Sequence, residues 1–542
     1  MPRTMWRCVL VLGWLAACAA ARALPAAEGG ELAAQLVRLL SEDSGERVAA
    51  IERLAASGEQ RLIAFFEAYR QGAVAVHEDR PALVREAGSG RVQLLDPLSG
   101  QPLLAEPIAS EGLRELPIGR RERLAANHAL VRLRLADPDP KARLNAVSRA
   151  AEQAEPAARS ALEALAQRDP EPRIRRMAAI GVAAIDLRDA EAAVRKAACQ
   201  RLAELRAVGW RSALLELGQQ DPDGAVREAA RRARAEIEAW MQWTGIVQTL
   251  FSGLSAGSIL IVMALGLSIT FGLMGVINMA HGEMLMIGAY ATLLTQWLFA
   301  AVFPAAMPWY FPCGIVAAFL SAALLGWLIE LTLVRHLYGR PLETLLATWG
   351  VSYLLIQTIR VIFGDNQAVT APDWLVGGWE PVPELVLPWN RLFIIGLTVA
   401  AVIAVWWLLA RTRLGLLVRA TTQSRRTAAA LGVDTRRIDG ATFALGSGLA
   451  GAAGAALTLI GGLKPDMGQE FIIDSFLVVA AGGVGNLAGV VLAGLGLGMA
   501  NKLLEPLVHA VWAKVLVLAA IILFLQWRPS GLFPPRGRLA DA

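Results

Sequence analysis

Asn278, His281 and Glu283 sit close together in an otherwise apolar stretch, and Asn486 sits in a second one, Gly482-Gly483-Val484-Gly485-Asn486-Leu487-Ala488-Gly489. Amide and ionisable side chains at membrane depth are costly and by default mark a solute or ion route. Amides and carbonyls donate and accept hydrogen bonds without needing a counter-charge. Both sets fall on Gly-rich interruptions, the first running from Gly272 to Gly282. Two Gly-broken hydrophobic segments in separate regions of a chain point to a central route through a transporter. Asn278, His281, Glu283 and Asn486, with the freed backbone of Gly482, Gly483 and Gly485, are therefore the candidate pathway residues. The alternative is that these groups only cap broken helices, and spacing alone does not separate the two.

The elements that would hold them are long apolar stretches, at roughly 246–270, 284–303, 311–334, 343–363, 391–410, 438–462, 471–504 and 510–527. A helix needs about 20 apolar residues to cross hydrocarbon, which predicts an all-α polytopic domain of about seven to nine spans with broken helices. The 542 residues are 55% hydrophobic, yet only 17 of the 52 Lys/Arg and 14 of the 47 Asp/Glu lie beyond residue 245. That division excludes a purely soluble enzyme and a disordered chain. The near-balanced charge gives no footprint for nucleic acid. Cys8, Cys18, Cys199 and Cys313 build no disulfide framework or metal motif.

Short-loop charge sets the expected orientation. The loop 411–437 holds seven arginines against Asp434, whereas 364–390 holds four acidic residues and no Lys or Arg. The first belongs inside and the second outside. Arg335, Arg340, Arg528, Arg536 and Arg538 mark further inside segments. Helix counting from an outside start then gives a cytoplasmic C-terminus.

The first 23 residues read as a secretory signal peptide: Arg3 and Arg7, a short apolar run, then Ala21-Arg22-Ala23. Leu15-Ala16-Ala17-Cys18 offers a second exit, with Cys18 lipidated. Within a domain over 28–240, residues 31–70 and 120–240 are Ala/Leu/Arg/Glu-rich with helical spacing. Arg143, Arg175, Arg195 and Arg227 recur at matching places, three of them after Asp-Pro-type turns suited to helix starts. This predicts a HEAT-like helical domain outside the cytoplasm, with a small β element over 72–117 around Gly88-Ser89-Gly90. His77 and His128 stand alone, as surface or structural residues do.

The segments Gly257-Ser258 to Gly266-Leu267, Gly275 to Glu283, Ala480 to Gly489 and Arg528-Pro529-Ser530-Gly531-Leu532-Phe533 resemble the signatures of LIV-type (branched-chain amino acid and urea) ABC importer permeases, over about residues 246–535. Glu343 to Ser352, Pro372 to Gly378 and the added N-terminal domain resemble the urea permease branch. The resemblance implies a non-enzymatic permease subunit of the bacterial inner membrane. It would move urea or short-chain amides, with branched-chain or other amino acids as the alternative cargo and a passive urea channel as a further one. It also implies a second permease subunit, a periplasmic substrate-binding protein and cytoplasmic ATPase subunits that use the ATP. No Gly-Lys dipeptide exists in the chain, so it carries no Walker A loop and no cofactor is expected. Arg419, Arg425, Arg426, Ala428, Ala429, Leu431, Gly432 and Asp434 resemble the coupling loop that docks on the ATPase, with Thr427 where the family pattern has Glu.

Overall fold

Helices near the start of the chain begin where the sequence can cap them. Asp43 Oδ1 accepts from the Gly45 amide at 3.1 Å, Asp139 Oδ1 accepts from the Lys141 amide at 3.1 Å, and Pro140 and Pro172 occupy first helical turns. The computed structural model describes residues 26–533 apart from 89–90, 105, 110–112 and 117. The expected signal peptide, Cys18, Arg536 and Arg538 lie outside the described residues. The chain divides into two compact units between Trp240 and Met241.

In the first unit, α1 (Ala26–Arg38), α2 (Ser44–Ala56) and α3 (Leu62–Gln71) precede a sheet. After it come α4 (Arg120–Leu135), α5 (Pro140–Gln153), α6 (Arg159–Arg168), α7 (Pro172–Asp186), α8 (Ala192–Glu204) and α9 (Arg211–Gln220). The sheet is larger than the expected small β element. Its antiparallel strands β1 (Val74–His77), β2 (Arg80–Gly88), β3 (Arg91–Leu95), β4 (Ile108–Ala109) and β5 (Arg114–Glu115) run in the order β4-β3-β2-β1-β5. Two of these strands are two residues long, too short for alternation to be read from sequence. One core gathers Ile51, Leu54, Phe65, Phe66 and Tyr69, and another Val147, Leu162, Ile174 and Ala178.

The recurring arginines act as clamps. Arg143, Arg175, Arg195 and Arg227 each donate through Nη1 to the carbonyls five and six residues earlier, tying the turn to the helix it introduces. Arg47 does the same to Ser41 and Glu42, a copy that the sequence spacing did not reveal. Three clamps also reach a distant carboxylate: Arg47 to Glu122 at 2.5 Å, Arg143 to Asp169 at 2.7 Å and Arg195 to Asp221 at 2.8 Å.

The Arg195 hydrogen bond holds the Asp221 carboxyl below the usual carboxylate range. A depressed folded-state pKa stabilises above the unfolded value, near 4, and that stability is lost as pH falls through the folded value. The first unit should therefore loosen on acidification below about pH 4. Asp221→Ala, which removes the carboxylate that Arg195 faces, should lower its denaturation midpoint. Chemical denaturation of the solubilised chain, followed by proteolysis within 26–240, reads both effects. An unchanged midpoint would reduce the clamp to decoration.

Helix α10 (Gly224–Met274) is unbroken for 51 residues. The apolar stretch expected from about residue 246 is thus the continuation of a helix that begins at Gly224. Residues 224–243 are mostly good helix formers, and Gly245 alone costs only about 1 kcal/mol, too little to stop them.

The second unit continues with α11 (His281–Val302), α12 (Tyr310–Thr332), α13 (Pro341–Phe363), α14 (Trp389–Arg411), α15 (Arg413–Gln423), α16 (Arg425–Ala430), α17 (Thr435–Leu457), α18 (Met467–Gly482) and α19 (Leu487–Trp527). A hairpin of β6 (Gly378–Val382) and β7 (Leu385–Pro388) lies between α13 and α14. Among the described residues seven helices are long and apolar enough to cross a membrane: α10, α11, α12, α13, α14, α17 and α19. Helix α19 bends at His509, whose φ of 63° is non-helical, three residues after Pro506. The stretch 471–504 is split by the turn between α18 and α19, at the Gly-rich interruption read from the sequence.

Without a hydrophobic drive between helices in lipid, close packing falls to small residues. Helix α17 is the central case. A Cβ at Gly446 would lie 2.7 Å from the Gly266 carbonyl oxygen, and Cβ atoms at Gly451 and Gly454 would overlap the carbonyl oxygens of Ala318 and Leu285. The Gly253/Gly257 pair of α10 faces the Gly494/Gly498 pair of α19, where a Cβ on Gly257 would stand 2.9 Å from the Gly494 oxygen. Leu346, Trp349, Tyr353 and Val361 of α13 and Ile403, Trp406 and Trp407 of α14 stay exposed, an apolar surface suited to lipid.

Candidate functional site

Helix α11 starts on the segment Gly275–Ala280, and the polar residues there are buried rather than displayed. The Asn278 Oδ1 accepts from the Ala280 amide at 3.0 Å, closing a turn just before the helix. The ring of His281 reaches the Met263 carbonyl oxygen on α10 at 3.1 Å. Glu283 accepts from the Ser352 hydroxyl of α13, and the Met279 amide donates to Thr348 Oγ1 at 3.1 Å. Asn278, His281 and Glu283 are thus brought together and sewn to α10 and α13. Three of their atoms, Asn278 Nδ2, His281 Nδ1 and Glu283 Oε2, are buried without a partner among the described residues. Buried polar atoms left open cost free energy that an absent partner or solute would recover.

The second group lies apart, and no hydrogen bond joins it to the first among the described residues. Asn486 caps α19, its Oδ1 accepting from the Gly489 amide at 3.1 Å. Gly482 packs on Gly489, where a Cβ would stand 2.5 Å from the carbonyl carbon, and Gly485 lies against Gly272 of α10. Gly483 and Gly485 take φ of 99° and 81°, which glycine adopts without strain. The Leu532 amide donates to the Ala481 oxygen at 2.8 Å and the Phe533 amide to the Gly482 oxygen at 3.3 Å. Two segments quoted separately in the sequence thus fold against each other. Both asparagines make cap-type hydrogen bonds, and only Asn278 also keeps an open buried donor.

The loop of arginines forms α15 and α16. Ser424 caps α16: its Oγ accepts from the Thr427 amide at 3.3 Å and lies 2.7 Å from Thr427 Oγ1. Thr427 thereby stands near the place that Glu or Gln takes in a capping box. Ala428 is buried, while Arg426, Ala429 and Leu431 face solvent, Leu431 at 80% exposure. Gly432 leaves the helix at φ 85°, and Asp434 Oδ1 caps α17 by accepting from the Arg437 amide at 3.3 Å. Arg419 is exposed on α15.

Arg425 does more than anchor. It pairs with Asp439 of α17 and lies 4.4 Å over the Tyr338 ring. Beside them Arg335 meets Glu330 of α12 at 3.1 Å. Burial, with Asp439 and Glu330 nearby, pushes the Tyr338 phenol far above its usual range. Glu330 is fully buried, so it does not snorkel toward its helix end. Sequence reasoning missed Ser352, Thr348, Tyr338 and Asp439 as partners, since each is far in sequence from the group it meets or reads as an ordinary helix residue.

The family model described as branched-chain amino acid transport system / permease component matches residues 249–525. The chain is 28% identical, over 54% of its length and 96% of theirs, to the high-affinity branched-chain amino acid transport system permease protein LivH of Salmonella typhimurium. It is 28% identical to BraD of Pseudomonas aeruginosa (53% and 95%) and 26% identical to LivM of Escherichia coli K12 (51% and 68%), permease proteins of systems described in the same words. No solved structure matches it.

Proposed function

The chain belongs to the branched-chain amino acid transport system permease family, and from that premise we propose that it is the permease subunit of an ABC importer carrying branched-chain or related amino acids across the inner membrane. The match over 249–525, which includes both Gly-rich segments, carries the proposal. It moves the leading cargo from urea, the expectation from sequence, to amino acids, because the similar curated proteins are described as amino acid permeases. Urea remains the rival because Glu343 to Ser352 resembles the urea branch.

The arginines of 411–437 support a cytoplasmic α15–α16 face, with the first unit and the β6–β7 hairpin outside. Exposed Leu431 and Ala429 on that face suit docking to an ATPase subunit, and Arg425 with Asp439 would carry its motion into α17. A second permease subunit and a substrate-binding protein complete the machine. Residues 28–240 act as a HEAT-like docking module in the periplasm, supported by the repeated arginine clamps. The open atoms of Asn278, His281 and Glu283 are the groups prepared for a polar solute.

Uptake of labelled leucine and labelled urea, in cells with and without the gene, tests the cargo. The expected result is leucine uptake that vanishes on deletion and on ATP depletion. Loss of urea uptake alone would restore the urea reading, and uptake indifferent to ATP depletion would replace the importer with a channel.

A further inference from the structure

We infer that the second unit holds the phosphate of an anionic phospholipid in a pocket where α10, α14, α15 and the start of α19 meet. The pocket encloses about 220 Å³ and is lined by Ser268, Leu273, Trp406, Leu409, Arg419 and Leu487, among others, with no Asp or Glu. Three features point to an anion. Arg419 has no carboxylate or other hydrogen-bond partner among the described residues, so its charge is unspent. Ser268 adds to the lining a hydroxyl that has no hydrogen-bond partner among the described residues. The amides of Leu487 and Ala488 open α19 without a backbone acceptor, whereas those of Gly489 and Val490 are satisfied by Asn486.

The walls decide between a lipid and a free ion. Ile269, Leu273, Trp406 and Leu409 are apolar, and Trp406 is 52% exposed on α14, a helix long and apolar enough to span. A free phosphate would gain nothing from that surface, whereas an acyl chain would cover it. Arg411 and Arg413, at the α14–α15 junction, add the basic surroundings that anionic headgroups favour. The size suits a phosphoglycerol headgroup. Only the assignment to the cytoplasmic leaflet rests on the orientation proposed above; the site itself does not.

Native mass spectrometry of the purified full chain, with phosphatidylglycerol, phosphatidylcholine or inorganic phosphate added, tests the site without any transport assay. Phosphatidylglycerol should be retained over phosphatidylcholine, and Arg419→Gln should lower that preference about fivefold. Ser268→Leu, which fills the pocket, should lower phosphatidylglycerol retention while leaving phosphatidylcholine adducts unchanged. Retention by both variants at the parent level would overturn the proposal. Displacement of phosphatidylglycerol by millimolar inorganic phosphate would overturn the lipid assignment in favour of a free-anion site.

Discussion

Gly454→Leu should abolish uptake and lower the amount of folded protein in the membrane by more than about tenfold. The cause is contact between backbones. A Cβ on Gly454 falls on the Leu285 carbonyl oxygen, with the Ala289 amide nitrogen 3.0 Å away, and neither is the far end of a flexible side chain. One turn back, Gly451 meets Gly288, so helices α11 and α17 touch along glycine. Overpacking a tight site usually costs about 1–3 kcal/mol, and here the only relief is to push the helices apart. Where partners are held by small residues rather than by water's aversion to apolar surface, that separation forfeits the attraction itself. Gly350→Ala and Gly396→Ala, whose added Cβ would meet nothing within 4 Å, serve as controls and should stay near parent levels. Normal uptake by Gly454→Leu would mean that α11 and α17 are not packed as described.

Arg425→Met should cut uptake by about a hundredfold or more, through the second largest of the expected effects. The substitution leaves Asp439, a carboxylate only 3% exposed, without the guanidinium that faces it. Stranding a nearly buried carboxylate costs free energy even though its partner Arg425 is itself 43% exposed. Loss of folding and loss of coupling are separated by the double variant Arg425→Met with Asp439→Asn, which removes both charges. Protein level at the membrane should recover in the double variant while uptake stays low, because α16 is no longer tied to α17. Recovery of uptake together with protein level would give the pair a purely structural role.

The features of the fold that were legible in sequence are those governed by local rules. The spans announce themselves by apolar length, and the caps of α5 and α19 by Asp139 and Asn486. The Gly-xxx-Gly spacings at Gly253/Gly257 and Gly494/Gly498 announce close packing, but spacing does not say which pair faces which. Glu283 and Ser352 are 69 residues apart, and nothing local distinguishes this Ser from any other helical Ser. The arginine recurrence of the first unit was visible as a pattern, whereas its work of clamping the preceding turn depends on where Nη1 points. The start of helix α10 was not legible, because a charged helical surface and an apolar one read as separate elements although the backbone does not distinguish them. For the candidate site, the residue types were legible and their burial was not.

The amides of Leu532 and Phe533 close the turn between α18 and α19 by bonding the carbonyls of Ala481 and Gly482. Synthesis runs from the N-terminus, so those donors leave the ribosome only after α19 has been made. The turn therefore passes through membrane insertion with two carbonyls still seeking partners, and it is finished by the last described residues to emerge. Completion of this corner is thus a late event in the order of synthesis. A chain halted after Trp527 would carry all seven described span-length helices and still leave those two carbonyls without their donors.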